Sequence, residues 1–295
     1  MGEWQTERLD DCLAALIDYR GKSPPKSSTG IPVLSAKVVK TTGLLRPIEQ
    51  TIAPEYYPKW MTRGLPQPGD VVMTTEAPMG EVIQLNEETA QFALGQRIVC
   101  MRGKKLKLDN TFLRYLLTSP VQQGILASYA TGTTVLGISQ KALRSMPISF
   151  PDFAEQQEIG ELLASLDDKI ELNRRMNETL EAMARAIFKD WFGDFGPTRA
   201  KAEGRAPYLA PEVWDLFPDA LDDEDKPVGW LVRPASDWFE FNPRESVKKG
   251  TNAPYLDMAA LPTFGPVPDA PTKREYKSGS KFRDGDTLFA RITPS

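Results

Sequence analysis

Few residues in this chain are arranged to make or break a covalent bond. There is no histidine, so imidazole bases, Ser–His pairs and His metal ligands are excluded. Cys12 and Cys100 are too few and too far apart in sequence to form a four-ligand zinc site. Nor do they make a secreted disulfide framework, which points to a reducing cytoplasm. Asn242-Pro243-Arg244-Glu245 carries Arg where an amino-methyltransferase motif needs its second Pro. Gly21-Lys22-Ser23 imitates the end of a phosphate-binding loop, but Leu16 stands where the first Gly belongs. Asp70 and Glu76 read as strand-edge and turn acids, without nuclease spacing. The expectation is a chain with no catalytic site, metal or cofactor of its own.

What remains is binding chemistry and the elements that position it. The chain has 295 residues and a net charge of −4, which suggests about two domains. No run of 18 apolar residues exists, and the N-terminus has no signal-peptide core. The charge is uneven. Residues 1–150 carry 17 Lys and Arg against 13 Asp and Glu. For residues 151–200 the counts are 6 and 11, for 201–229 they are 3 and 8, and for 230–295 they are 10 and 8. Two mildly basic segments thus flank an acidic middle. This is either ordinary surface variation or two segments that face an anion.

Residues 1–150 read as a mixed domain of short strands and helices. Ile31–Leu34, Asp70–Thr74 and Gln96–Met101 are apolar runs between turn residues. Nine prolines between residues 24 and 78 break any long helix there. Helices are expected at Asn110–Leu117 with Asn110 as cap, at Val121–Tyr129 after Pro120, and at Ser139–Met146 with Ser139 as cap.

The pattern changes at Ala154. From there to Phe192 there is no Pro, and Gly160 is the only Gly. Ile159, Leu163, Leu166, Ile170, Asn173, Asn177, Leu180, Ala184, Ile187 and Trp191 follow at alternating spacings of 4 and 3. This is the seam of a coiled coil, on a rod of roughly 57 Å. Asn173 and Asn177 either fix the register or mark a solvated stretch. Such a rod cannot bury its own stripe and needs a partner helix.

Residues 196–229 read as an acidic Pro- and Gly-rich connector, with one apolar patch, Val213–Phe217, that must dock on something. Residues 230–295 then echo the first 80. Trp4 matches Trp230, Pro32 and Leu34 match Pro254 and Leu256, and Gly43 matches Gly265. Gly69–Met73 matches Gly285–Phe289, where a strand is expected again. By proportion, the second unit lacks its later strands and its own rod. Either the chain is a shortened product or another polypeptide supplies the rest.

One long stretch carries a resemblance. It runs from Gly132-Thr133-Thr134-Val135-Leu136-Gly137-Ile138-Ser139 through Leu143–Ile148 and Pro151 to Glu155-Gln156-Gln157-Glu158-Ile159. It continues through Leu166–Ile170, Asn173, Asn177 and Leu180-Glu181 to Phe188-Lys189-Asp190-Trp191-Phe192, and Pro227–Trp230 resembles a second opening. In these features the chain resembles the specificity subunits of type I restriction–modification enzymes. The resemblance implies an α+β fold: a target-recognition domain at 1–150, a long helix at 151–195, the connector at 196–229 and part of a second recognition domain at 230–295. It implies a non-catalytic subunit that reads one half of a split double-stranded DNA site per domain. Methyltransferase subunits would dock on it, and motor-nuclease subunits would join them. S-adenosylmethionine and ATP are expected only on those partners. With one rod instead of two, a second copy could pair antiparallel and read a palindromic split site.

Base readout needs Arg, Lys, Gln, Asn, Ser or Thr at groove edges, while phosphate contacts position the protein. The candidates are Lys22, Lys26, Lys37, Lys40, Thr74, Thr75, Arg97, Thr133, Thr134, Ser139, Gln140 and Lys141. Lys104, Lys105 and Lys107 add charge. The resemblance implies that the Gly-Thr turn lies beside the DNA. The helix seam (Ile159, Leu163, Leu166, Ile170, Asn173, Asn177, Leu180, Ile187, Trp191) is the expected partner or dimer surface. The alternative is an interaction subunit that assembles with the methyltransferase through its helix without complete DNA readout.

Overall fold

Val71–Met73 and Ile98–Met101 lack polar alternation, so neither face of those strands can be left in water. The computed structural model meets that demand with a sheet covered on both sides. It describes residues 3–19, 23–132, 135–262, 267–268 and 270–289, so Gly21, Lys22, Thr133, Thr134 and Gly265 lie outside the described residues. The chain divides into two units, Met1–Met183 and Ala184–Ser295.

The first unit begins with β1 (Gln5–Arg8), α1 (Leu9–Cys12), β2 (Leu13–Asp18) and β3 (Ile31–Leu34). The hairpin β4 (Val39–Lys40) and β5 (Gly43–Leu44), then β6 (Thr51–Ile52) and α2 (Tyr57–Trp60), complete its first part. Next come β7 (Val71–Thr75), β8 (Met79–Gln84), β9 (Ala93–Leu94) and β10 (Ile98–Gly103). Helices α3 (Asn110–Thr118), α4 (Pro120–Ser128) and α5 (Gln140–Ser145) precede β11 (Pro147–Phe150) and α6 (Phe153–Phe188). The central sheet has the order β2-β10-β7-β8 and is antiparallel throughout. Val71, Met73, Val99 and Met101 face Phe112, Leu113, Leu126 and Leu143. Val72, Ile98 and Cys100 face Val33, Leu34, Ile52 and Leu94. One residue of register therefore decides which core a side chain joins.

The three short helices form where expected, with one cap displaced. Asp109, not Asn110, caps α3, accepting from the amides of Thr111 (2.8 Å) and Phe112 (2.9 Å). Asn110 instead accepts from the Gly103 amide at 2.7 Å, tying the helix to the end of β10. Ser119 and Ser139 cap α4 and α5. Strand β1 pairs with β11, bringing the N-terminus beside the start of α6.

Helix α6 is continuous for 36 residues, about 54 Å. Among the seam residues, Ile159 packs on the core beneath α3 and Leu163 is half-buried. Leu166 (47%), Ile170 (67%) and Leu180 (55%) are left exposed. Asn173 and Asn177 are exposed as well. Among the described residues no helix is long and apolar enough to cross a membrane.

In the second unit the chain passes through a wider helical turn, Lys189–Gly193, into α7 (Gly196–Ala202) and α8 (Pro211–Trp214). The connector is thus not irregular throughout. Gly196-Pro197 opens α7 because Pro at the first turn forfeits no hydrogen bond. The apolar patch docks within this unit: Trp191 meets Phe217 edge-on at 5.5 Å, and Trp214 meets Tyr208 at 5.6 Å. Phe192 stacks on Trp230 at 6.0 Å. Tyr208 donates to Asp190 at 2.8 Å; burial and this bond push its phenol up to about 12. The acidic run is partly neutralised, with Asp222 against Lys226 at 2.6 Å and Asp225 paired with Arg199. Strands β12 (Asn252–Tyr255) and β13 (Thr272–Glu275) pair antiparallel. The strand expected at Gly285–Phe289 does not form among the described residues. Its counterpart β7 lies between two strands, whereas Asp286–Phe289 stays exposed with no neighbouring strand among the described residues.

Candidate nucleic-acid interface

Two strand ends and one loop build the candidate surface, all in the first unit. β7 ends at Thr75 and β10 follows Arg97, and the Thr75 amide donates to the Arg97 carbonyl at 2.8 Å. Arg97 has a left-handed backbone, with φ 62. The Gly-Thr loop closes on itself by reciprocal bonds, Thr131 N–H to Gly137 O at 2.8 Å and Gly137 N–H to Thr131 O at 2.9 Å. Its base is seated on β7 through the Ile138 amide, which donates to Thr75 O at 3.0 Å. Gly132 is at φ +116, and a Cβ there would stand 2.2 Å from the Val135 carbonyl oxygen. Only Gly satisfies both constraints.

Two adjoining clefts result. The first, about 510 Å³, is lined by Thr75, Glu76, Gln96, Arg97, the ends of the Gly-Thr loop and Ser139. The second, about 520 Å³, is lined by Ser35, Lys37, Lys40, Gln50 and again Gln96 and Arg97. Arg97 therefore stands at the seam of both. Its guanidinium is 3.8 Å from the Glu76 carboxylate, with both side chains about half exposed. An ion pair of that length and exposure binds weakly, so the five-donor fork remains available to a ligand. Lys37 is exposed and pairs with Glu49 at 3.0 Å.

The sequence candidates thus separate. Arg97, Ser139, Lys37 and Lys40 come together, with Thr75 a buried member of the first cleft's lining. Gln140 and Lys141 follow Ser139 at the start of α5, half-buried and exposed respectively, but line neither cleft. Lys26 is exposed and lines neither. Thr74 is fully buried, and its hydroxyl accepts the Glu81 amide at 2.9 Å. It holds β8 to β7 and cannot reach a groove. Lys22, Thr133 and Thr134 lie outside the described residues. Lys104 donates to the Asp11 carbonyl of α1 at 2.8 Å and Lys107 pairs with Glu7 of β1 at 2.7 Å, so both tie down the N-terminal segment and line neither cleft. Sequence reading missed Gln96, Ser35 and Gln50. Gln96 was detectable as the polar neighbour of Arg97 at the same strand edge.

The groups that could do chemistry are engaged structurally. Asp70 is buried in the sheet, clasped by two Arg102 nitrogens at 2.7 Å each, and it accepts from the Gln67 amide at 2.8 Å. Burial pushes the Cys12 thiol up to about 11, and burial and Asp70 raise Cys100 well above its ordinary value. Neither is a thiolate nucleophile near neutrality. Among the described residues no three acidic or Cys side chains gather to hold a metal ion.

The first unit is thus a sheet-centred domain with an Arg- and Lys-bearing double cleft, followed by a long helix. Residues 1–182 match the type I restriction modification DNA specificity domain, and the chain belongs to this family. Specificity subunits of type I systems recognise DNA and are not the catalytic subunits. The MjaIX specificity subunit of Methanocaldococcus jannaschii is 29% identical over 199 residues, 66% of this chain and 40% of that protein. The HindI specificity subunit of Haemophilus influenzae is 43% identical over 79 residues, 27% of this chain and 17% of that protein. The chain thus spans less than half the length of these relatives. Among solved structures, the HsdS subunit from Thermoanaerobacter tengcongensis is 21% identical, with a TM-score of 0.40 over 64% of this chain and 44% of that one.

Proposed function

We propose that the first unit reads one half of a split DNA site through its two clefts. The observation that carries this reading is the convergence of Thr75, Gln96, Arg97, Ser139, Lys37 and Lys40 from distant parts of the chain on one surface. Arg97 has the fork that matches guanine O6 and N7, and Gln96 the amide that matches adenine N6 and N7. Lys37 and Lys40 suit phosphates. Residues 230–295 would begin a second reading unit. Methyltransferase subunits would dock on α6 and direct adenine methylation to the site, and motor-nuclease subunits would join that complex. A cytoplasmic location accompanies this role, because its DNA lies there.

The exposed seam favours a second copy as one partner of α6. Its spacing reads the same in both directions about a centre between Asn173 and Asn177. In an antiparallel pair Ile170 would meet Leu180, Leu166 would meet Ala184, and the two Asn would face each other across the axis. Assembly alone, without reading through the clefts, gains no support from a family match that spans nearly the whole first unit.

The test is methylation by the chain purified with its methyltransferase. One defined motif should be methylated far faster than scrambled DNA. Equal rates on both would end the proposal.

A further inference from the structure

We infer that Gln156, Gly160 and Asp167 form a two-ended clamp that fixes the direction of α6 against the recognition domain, and that Asp167 with Arg114 and Tyr115 thereby sets the half-site spacing. The inference rests on the split-site reading above.

The grip runs in order along both helices. At its near end the Gln156 side chain is fully buried and makes three hydrogen bonds. Its Oε1 accepts the Asp109 amide at 3.0 Å, and its Nε2 donates to the carbonyls of Lys107 and Pro151, each at 3.0 Å. One turn on, Gly160 lets the backbones approach: a Cβ there would stand 3.2 Å from the Phe112 nitrogen and 3.4 Å from Thr111 Cβ. At the far end, Asp167 Oδ2 accepts from an Arg114 guanidinium nitrogen at 2.6 Å and from the Tyr115 hydroxyl at 2.9 Å. Arg114 also lies over the Tyr115 ring, 4.8 Å from its centroid, so the three side chains hold one another. Burial and the bond to Asp167 push the Tyr115 phenol up to about 12, so it stays a donor at any working pH.

Two anchors 11 residues apart on α6 are separated by about 16 Å along its axis. A single anchor permits tilting, but two do not. The lever beyond Asp167 is long: α6 continues for 21 residues to Phe188, about 32 Å. A tilt of roughly six degrees at the clamp moves the far end by about 3.4 Å, the rise of one base pair. A rod that reports a spacing to the nearest base pair needs its root held more tightly than that. Gln156 is bound up with folding, whereas Asp167 is half exposed and can be changed without opening the core.

The experiment measures methylation by the full chain with its methyltransferase on a ladder of sites. Half-sites are kept constant, and the spacer is varied by one base pair either way. For Asp167→Asn and for Arg114→Asp, the preference for the best spacer should fall about fivefold. Discrimination against mismatched half-sites should stay unchanged. The swap Arg114→Asp with Asp167→Arg should restore the preference, which a merely destabilised variant would not do. In parallel, spin labels at Val121→Cys and Met176→Cys report the angle directly, since Cys12 and Cys100 are buried and escape labelling. The distance distribution should be narrow in the parent and broader in Asp167→Asn. An unchanged spacer preference in both single variants, or an unbroadened distribution, overturns the clamp. A parent complex with no motif preference at all overturns the split-site reading instead, and the label distances still judge the clamp by itself.

Discussion

Replacing Arg97 tests the reading surface most cleanly, because its fork is nearly uncommitted in the folded chain. Its ionic partner Glu76 lies 3.8 Å away at a half-exposed position. Such pairs contribute about 0.2–1 kcal/mol, so Arg97→Lys should barely move the melting temperature. Lys also tolerates the site's left-handed backbone no worse than Arg does. The substitution keeps the positive charge and removes the bidentate fork. If the fork reads a base edge, the loss is about 1–3 kcal/mol on the cognate half-site alone, a drop of about 5- to 150-fold in affinity. Scrambled DNA should bind as before, and the dependence on salt should keep its slope. Lys37→Ala with Lys40→Ala should do the opposite: cognate and scrambled DNA both weaken, and the log–log salt slope falls by about 0.9 for each phosphate no longer neutralised. Fluorescence anisotropy across a salt series, on the complex, separates the two. Equal weakening of cognate and scrambled DNA by Arg97→Lys would refute the assignment of Arg97 to base readout.

The remaining predictions concern the scaffold. Gly132→Ala forces a side chain onto the Val135 carbonyl at positive φ and should cost about 1–3 kcal/mol locally; amide exchange should speed up at Thr131 and Gly137, with DNA affinity reduced. Gln156→Ala leaves the Asp109 amide and two carbonyls unsatisfied in a buried site; denaturant unfolding should report a loss of about 1–3 kcal/mol. Leu166→Glu with Ile170→Glu should leave the fold intact, because both are exposed, yet light scattering should record dissociation of a dimer. A parent chain that is already monomeric would remove the self-pairing proposal.

Much of the scaffold was legible in the sequence, for physical reasons that also mark where reading stopped. Unbroken apolar runs imposed β7 and β10, and Ser139 announced its helix, because its hydroxyl caps a free amide; the Ser119 cap of α4 was not read. The one-residue error at Asp109 arose because Asp and Asn cap equally well, and only the competing bond to Gly103 decides between them. Helix α7 was missed because Gly-Pro reads as a break until the Pro is seen to occupy the first turn. Thr74 and Thr75 look alike in sequence and are both buried, but strand register commits the Thr74 hydroxyl to β8, whereas Thr75 lies in the lining of a cleft. The clefts themselves could not be read. Lys37, Arg97 and Ser139 are tens of residues apart, and only the parallel pairing of β3 with β9, the sheet order β2-β10-β7-β8 and the docking of the Gly-Thr loop on β7 unite them. The roles of Gln156 and Asp167 were likewise unreadable, since Lys107, Asp109, Arg114 and Tyr115 lie more than 40 residues away from them.

The central claim is that this surface chooses the DNA sequence, and mapping methylated adenines genome-wide tests it most directly. Cells carrying the chain with its methyltransferase should show one split motif. The same cells with Arg97→Lys should show that motif relaxed at a position within one half-site and unchanged elsewhere. An identical, fully specified motif in both strains would contradict the account.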